Sequence, residues 1–314
     1  MMFSNSISGL IAIESAKHVF REKTVSFLSV IFIALVVVSA YLGWSATHTV
    51  NAIYLDATQY LKTAGHAIPP NPILDISPLS LLRNMSIYVL LIGALAAIVI
   101  GFSLIEVDRK SGVMPLLGSR PFHQGAYARG KILALATVLF GLMFIAALVS
   151  VLTFLLLPEF RLDGHGWLKF TAFFLASYGY MLFFGFIATA SAAWAKSEAV
   201  GLILPVTVWL TLTFILPSLT SNIHPTAAIN PISALAPPPD SSFFQWMGWV
   251  IGPVSIAEAF KYLSADFLDF LPSTATFPSF IPPGLELLIA IVLAGAVSMR
   301  AMLHMDVTRG DYDA

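Results

Sequence analysis

Long apolar stretches separated by short polar stretches dominate this sequence. Five of them lack a charged side chain over the roughly 20 residues that a membrane helix needs. A sixth carries Glu286 near its start and Arg300 near its end, and we expect both side chains to reach the membrane surface. The pattern therefore predicts an all-α integral membrane protein with a single transmembrane domain over 1–314. Its six spans lie at 24–44, 84–105, 132–157, 170–195, 199–220 and 284–303.

The first apolar stretch is predicted to remain as a membrane anchor. Its apolar core is longer than the roughly 7–15 residues of a signal peptide, and the cationic residues Lys17, Arg21 and Lys23 precede it.

Residues 8–22 have the periodicity of an amphipathic helix. Leu10, Ile13 and Phe20 fall on one face, whereas Glu14 falls on another. We expect a helix that lies in the inner membrane interface, and the alternative is a plain extension of the first span.

The segment between the fifth and sixth spans, 221–283, is rich in proline, which prevents one continuous helix. Short helices are predicted at 243–250 and 255–267. The uncharged stretch 241–257 is short and interrupted by glycine and proline, so a re-entrant or interfacial helix is favoured over a seventh span. The aromatic residues of this stretch suit a membrane interface or an outer gate. They are Phe243, Phe244, Trp246 and Trp249.

Composition agrees with a membrane protein. The chain is 58% hydrophobic and only 11% charged, whereas a soluble domain is about 25% charged. These values exclude a soluble globular enzyme and a disordered chain. The net charge of −1 gives no field that would attract nucleic acid. The absence of cysteine excludes disulfides, thiolate metal sites and cysteine nucleophiles.

Lysine and arginine predict the orientation, because they concentrate on the cytoplasmic side of a membrane protein. With six spans, eleven of the sixteen basic residues lie on the side of the two termini. These eleven are Lys17, Arg21, Lys23, Arg109, Lys110, Arg120, Arg129, Lys131, Lys196, Arg300 and Arg309. Both termini and the loop at 106–131 are therefore placed in the cytoplasm, and 45–83 and 221–283 are placed outside as connecting segments.

Few residues suggest chemistry. Residues 125–131 fit the start of a phosphate-binding loop, but Ile132 stands where Ser or Thr would hold Mg²⁺, and no strand precedes. His48, His66, His165 and His224 are scattered on the outer side without the spacing of metal ligands. We expect no bound cofactor or metal, and nucleotide binding would need another subunit.

Asp, Glu, Lys, Arg and His are absent from the five uncharged spans. Buried charges are typical of proton- and ion-driven transporters. The sequence therefore argues against a transporter of that kind, and against an intramembrane enzyme with a catalytic carboxylate pair.

The loop at 106–131 is the most informative segment. It starts with charged residues at the end of the second span and continues with an exposed apolar patch that needs a protein partner or lipid. An interfacial helix on lipid is the alternative for this patch. The features of the loop are Glu106 and Arg109, then Gly112, Val113, Met114, Leu116 and Leu117, then Arg120 and Pro121.

This loop resembles the signature of type-2 ABC exporter permeases, in which a charged helix end, an apolar patch, Arg-Pro and Tyr-x-x-Gly-Lys follow one another. The departures are Val113, where Thr is usual, and Pro115, where an acidic residue is common. The matching positions are Glu106, Gly112, Leu116, Leu117, Arg120, Pro121, Tyr127, Gly130 and Lys131. The long outer segment also resembles that of the membrane subunit of the nitrous-oxide-reductase maturation transporter.

The resemblance implies a permease in the cell inner membrane that pairs with a second permease, as a homodimer or with a related chain. It also implies separate ATPase subunits that bind ATP and Mg²⁺, and a periplasmic partner is a further candidate. The ATPase would contact the apolar patch, flanked by Glu106 and Arg109, with a smaller contact at Lys196, Ser197 and Glu198. Two other classes stay open at this point: a membrane scaffold or assembly factor without transport, and a membrane-embedded enzyme.

Overall fold

The structure is a computed structural model that describes residues 2–71, 77–111, 124–156, 162–223, 235 and 239–305. Within these ranges the chain is helical and has no strand, which confirms the predicted all-α class. Six helices, α2 to α6 and α9, are long and apolar enough to cross a membrane. The helices of the described ranges are α1 Met2–Arg21, α2 Lys23–Thr63, α3 Pro78–Lys110, α4 Gln124–Leu156, α5 Gly164–Trp194, α6 Glu198–Ser221, α7 Ser242–Ile251, α8 Ile256–Phe267 and α9 Pro283–Leu303.

The first spanning helix is much longer than the apolar stretch that predicted it. Helix α2 has 41 residues and is therefore about 60 Å long, about twice the thickness of the hydrocarbon core. Residues 45–63, which we expected to open the first outer loop, are helical, and the prediction for them is wrong. The alanines and threonines of this stretch are compatible with a helix. Hydrophobicity alone predicts the length of the apolar stretch and not the end of the helix. The helix ends at Thr63 with Ala64 as its C-cap, and Gly65 follows with a positive φ of 73°.

Helix α5 lies at the centre of the bundle and packs against α3, α4, α6, α8 and α9. Small residues permit a close approach between α5 and α3. A Cβ atom added to Gly101 would lie 2.4 Å from the carbonyl oxygen of Gly185. Close backbone contact through small residues is a common way of packing helices in membranes. Hydroxyl groups join α5 to α9, because Thr189 and Ser298 are 2.6 Å apart.

A π-helical turn at Val89–Gly93 interrupts α3. Such a turn breaks the regular pattern of backbone hydrogen bonds. The carbonyl oxygen of Leu90, within this turn, accepts a hydrogen bond of 3.1 Å from the indole nitrogen of Trp209 on α6. The irregular turn of one spanning helix is thus fixed to a neighbouring helix.

The outer segment contains the two short helices α7 and α8. Helix α7 has ten residues, about 15 Å, and is too short to cross the bilayer. The buried Gly248 of α7 packs on the carbonyl oxygen of Pro278, which an added Cβ atom would approach to 2.9 Å. Helix α8 enters the bundle, where the ring of Phe260 stacks on Tyr180 of α5 with 4.5 Å between centroids.

The N-terminal helix α1 lies against α4. Ser8, Ser15 and Val19 face the bundle and are buried, whereas Leu10 and Ile13 are more than half exposed. The apolar face predicted from the periodicity therefore points away from the protein, where lipid can cover it.

Candidate functional site

An ion pair joins the two helices that flank the central loop. Asp108, in the last turn of α3, lies 2.7 Å from the ammonium group of Lys131 on α4. The hydroxyl group of Tyr127 donates a second hydrogen bond of 2.8 Å to the same carboxylate oxygen. Tyr127 and Lys131 are four residues apart and share one helical face. The side chain of Lys131 is only 2% exposed, so the pair fixes the two ends of the loop from inside the bundle.

A more exposed ion pair joins α3 to α6. The ammonium group of Lys110 lies 2.6 Å from Glu198, at the start of α6, and 3.7 Å from Glu106 one turn earlier on α3. Ser197 caps α6, because its side-chain oxygen accepts a hydrogen bond from the backbone N–H of Val200. The start of α6 is thereby held against the end of α3.

The end of α5 contributes to the same region. The guanidinium group of Arg109 donates a hydrogen bond of 3.2 Å to the carbonyl oxygen of Ala193, in the last turn of α5. A cation is favourable at the negative end of a helix dipole. The inner ends of α3, α4, α5 and α6 therefore form one connected polar layer, which we call the inner polar layer; its side chains are Glu106, Asp108, Arg109, Lys110, Tyr127, Lys131 and Glu198.

The predicted contact residues fall into two groups. Gly112, Val113, Met114, Leu116, Leu117, Arg120 and Pro121 lie outside the described residues. Among the rest, Glu106 and Arg109 are buried, whereas Lys196 and Glu198 are exposed and Ser197 is half-buried. The structure thus brings Glu106 and Glu198 together around Lys110.

Sequence reasoning missed the ion pair that closes the loop. Asp108 and Lys131 have opposite charges at the two ends of the loop, and this was a usable signal. Charge signs alone did not indicate that Lys131 turns inward rather than toward water.

The segment that resembles a phosphate-binding loop is not a loop. Residues 125–131 belong to the first turns of α4, and the ammonium group of Lys131 forms an ion pair with Asp108. A phosphate-binding loop needs exposed backbone N–H groups that converge on the ligand. This segment instead uses its N–H groups within a helix, apart from those of its first turn.

The outer aromatic residues lie on α7. Phe243, Trp246 and Trp249 are exposed, and Phe244 is half-buried. Trp249 lies near Phe280, with 6.1 Å between the ring centroids. An exposed row of aromatic side chains at the outer end of the bundle fits a membrane interface.

Charged residues buried within the outer segment were not anticipated. Both carboxylate oxygens of Glu258 on α8 accept hydrogen bonds of 2.6 Å, from Thr220 and Ser221 of α6. Lys261, one turn later, is buried, and this burial lowers its pKa to about 8 against the attraction of Glu258. Helix α8 is therefore attached to the bundle by polar as well as apolar contacts.

A further ion pair ties the outer segment to its neighbours. The carboxylate of Asp269 pairs with Lys169 of α5 and accepts a hydrogen bond of 2.7 Å from Ser77. Partial burial favours a raised pKa for Asp269, but the hydrogen bonds from Lys169 and Ser77 outweigh it and hold the pKa below its usual value. This carboxylate connects the segment after α8 to α5 and to the start of α3.

The expectation that Glu286 reaches the membrane surface is wrong. Its side chain lies in the first turn of α9 and the residue is only 2% exposed. The outer segment covers this end of the helix, which the sequence pattern did not reveal. Arg300, at the other end of α9, is exposed as expected.

The outer histidines do not form a metal site in the described part of the chain, where no three His, Asp or Glu side chains converge. His224 lies outside the described residues.

Comparison with the models of known protein families gives a match over most of the chain. The family described as "ABC-2 family transporter protein" matches residues 10–302. Among curated proteins, none matches this chain.

Proposed function

Because this chain belongs to the ABC-2 family of transporter proteins, we propose that it is the permease subunit of an ATP-binding-cassette exporter. The match over 10–302, which covers five candidate spans in full and the sixth as far as Met302, is the observation that carries the proposal. Proteins of this family are membrane components of transporters and work with a partner ATPase. The hydrolysis of ATP with Mg²⁺ is accordingly assigned to that partner. The likeness to the nitrous-oxide-reductase maturation permeases, based on the outer segment, stays part of this proposal.

The orientation follows from the basic residues. We place both termini and the loop between α3 and α4 in the cytoplasm, because eleven of the sixteen lysines and arginines lie on that side. The protein is then a multi-pass protein of the cell inner membrane. The exposed aromatic face of α7 rests at the outer surface, where it borders lipid, the path between two permeases or a periplasmic partner.

The apolar patch Val113, Met114, Leu116 and Leu117 is the proposed contact with the ATPase. Glu106 and Arg109 are buried, so their role is to support the helix ends. Lys196 and Glu198 are exposed and supply the second, smaller contact. A force on the loop acts on α3 and α4 together, because Asp108 and Lys131 join them.

The inner polar layer spreads this movement. Lys110 links α3 to α6, and Arg109 links α3 to α5. Closure of two ATPases would therefore shift several spanning helices at once. A path between two paired permeases would open on alternate sides of the membrane, as alternating access requires.

The test is a pull-down in which the tagged permease captures an ATP-binding-cassette ATPase from membranes of the cells that produce both proteins. Burial of each leucine in a groove of the ATPase would contribute about 1.5–3 kcal/mol. We expect Leu116→Asp with Leu117→Asp to abolish co-purification and the permease-dependent change in ATP hydrolysis. The permease should still insert and dimerise, because neither residue belongs to a span.

The matched control places the same two changes on the other side of the membrane. Ile53 and Leu55 are exposed on the outer part of α2, so Ile53→Asp with Leu55→Asp should leave the yield of ATPase unchanged. An undiminished yield from the Leu116 and Leu117 variant would contradict the docking assignment.

A further inference from the structure

A long apolar groove runs along the bundle between α5, α6 and α9. Its volume is about 630 Å³, within the range of about 300–1,000 Å³ that is usual for small-molecule sites. Ala290 and Val297 line it from α9, Ile187 from α5 and Leu204 from α6. Pro253 and Ile256 of the outer segment close its outer end.

One acidic residue lines this groove. Glu286, Ala290, Leu293 and Val297 recur at intervals of three or four residues, so they share one face of α9. Glu286 is at the outer end of this face, and the apolar part continues for about 16 Å along the helix. Among the described residues that line the groove, Glu286 is the only charged one.

The surroundings of Glu286 do not supply a cation. Neither carboxylate oxygen receives a hydrogen bond of acceptable geometry from the described residues, although the hydroxyl group of Ser279 lies nearby. The charge that acts on this carboxylate is that of Glu258, another carboxylate. No Lys or Arg in the described part of the chain forms an ion pair with Glu286. An ionisable residue buried at membrane depth without a partner is expensive and is usually functional.

We propose that the groove binds a cationic amphiphile, with its alkyl or aromatic body along α9 and its ammonium group paired with Glu286. An ammonium group supplies the missing charge and up to three hydrogen-bond donors. The apolar body replaces lipid against a nearly continuous apolar lining. The carboxylate oxygens are covered in this structure, so binding includes a rotation of the Glu286 side chain toward the groove.

The residues that line the groove favour a cationic amphiphile over a phospholipid and over a second copy of this protein. A phospholipid would place a phosphate beside the ammonium group, but no basic residue lines the groove within the described chain. A second copy of this protein would have to insert a cationic side chain at the depth of Glu286. Dissociation of a dimer by Ala290→Phe would identify that occupant.

The experiment measures binding of tritiated dodecylamine to the purified permease in phosphatidylcholine nanodiscs, with dodecanol and dodecanoate as competitors. We expect dodecylamine to bind at least tenfold more tightly than either competitor. Glu286→Gln should remove this preference and leave dodecanol binding unchanged. Glu14→Gln, which changes an exposed glutamate on α1, is the matched control and should bind as the wild type.

A second variant tests the groove itself. Ala290→Phe should fill it and lose binding of all three probes, whereas Ala34→Phe, at an exposed alanine of α2, should not. Equal binding of the three probes to the wild type, or unchanged amine preference in Glu286→Gln, would overturn the proposal. So would complete block of binding by phosphatidylethanolamine in the nanodisc, or a dimer that Ala290→Phe dissociates. The assay contains no ATPase, so its failure is distinct from a failure of the proposed coupling.

Discussion

Asp108 and Lys131 form an ion pair at the inner end of the bundle, and we expect this pair to affect the stability of the protein. Lys131 is almost completely buried, and the removal of one partner from a buried ion pair leaves the other charge uncompensated. We predict that Asp108→Asn destabilises the protein by about 3 kcal/mol. Lys110→Gln, at a side chain that is 54% exposed, should cost less than about 1 kcal/mol.

Thermal unfolding in detergent, measured for both variants, distinguishes these values. The double variant Asp108→Leu with Lys131→Met should recover most of the loss, because no charge is then left buried. Equal unfolding temperatures for Asp108→Asn and Lys110→Gln would contradict the assignment of Asp108 as the partner of a buried cation.

Lys261 predicts a dependence of stability on pH. Burial lowers its pKa from 10.5 to about 8 in the folded protein, so the unfolded chain binds more protons between these two values. Stability should therefore rise as the pH increases from about 8 to 10.5, by up to about 3 kcal/mol. Other groups titrate in the same range, so the measured quantity is the difference between the wild type and Lys261→Met. A difference in stability between the two proteins that stays constant from pH 7 to pH 10.5 would contradict the lowered pKa of Lys261.

At the scale of elements, the contact between α3 and α5 depends on two glycines. An alanine at Gly101 would place its Cβ atom against the backbone of Gly185. We expect Gly101→Ala to lower stability by about 1–3 kcal/mol, the usual cost of overpacking. Gly141 on α4 has no atom within 4 Å of an added Cβ, so Gly141→Ala should be neutral or slightly stabilising. Thermal unfolding of the two variants should separate them, and a neutral Gly101→Ala would mean that the helices move apart without cost.

The sequence predicted helices better than their ends and surroundings. Apolar length placed all six candidate spans, because lipid demands about 20 apolar residues whatever the fold. It could not place the end of α2, since residues 45–63 are more polar than the apolar stretch before them, and hydrophobic length does not report on a helix that continues into a polar stretch. It also could not show that Glu286 is buried, because its cover comes from the distant outer segment. The partners of Lys131 and Glu258 likewise depend on which helices become neighbours.

For the whole molecule, the orientation is a separate prediction. A reporter fused after Ala314 should be cytoplasmic, and one inserted near Thr274 should be outside, because the basic residues place the C-terminus in the cytoplasm and one span, α9, separates the two positions. The measurement uses two reporter enzymes at each position, one that is active only in the cytoplasm and one that is active only outside the membrane. The same compartment for both fusions would contradict the arrangement of six spans.

The central claim is that the loop between α3 and α4 contacts a separate ATPase in the cytoplasm. The chain contains no cysteine, so a single introduced cysteine gives an unambiguous cross-link. The most direct measurement is photo-cross-linking through a photoreactive thiol reagent attached to Leu116→Cys, in membranes that contain the ATPase. Thr274→Cys with the same reagent is the matched control. We expect position 116 to give an adduct with the ATPase whose yield changes when ATP is added. Position 274 should give no adduct. The absence of an adduct at 116, or an adduct of equal yield at 274, would contradict the central claim.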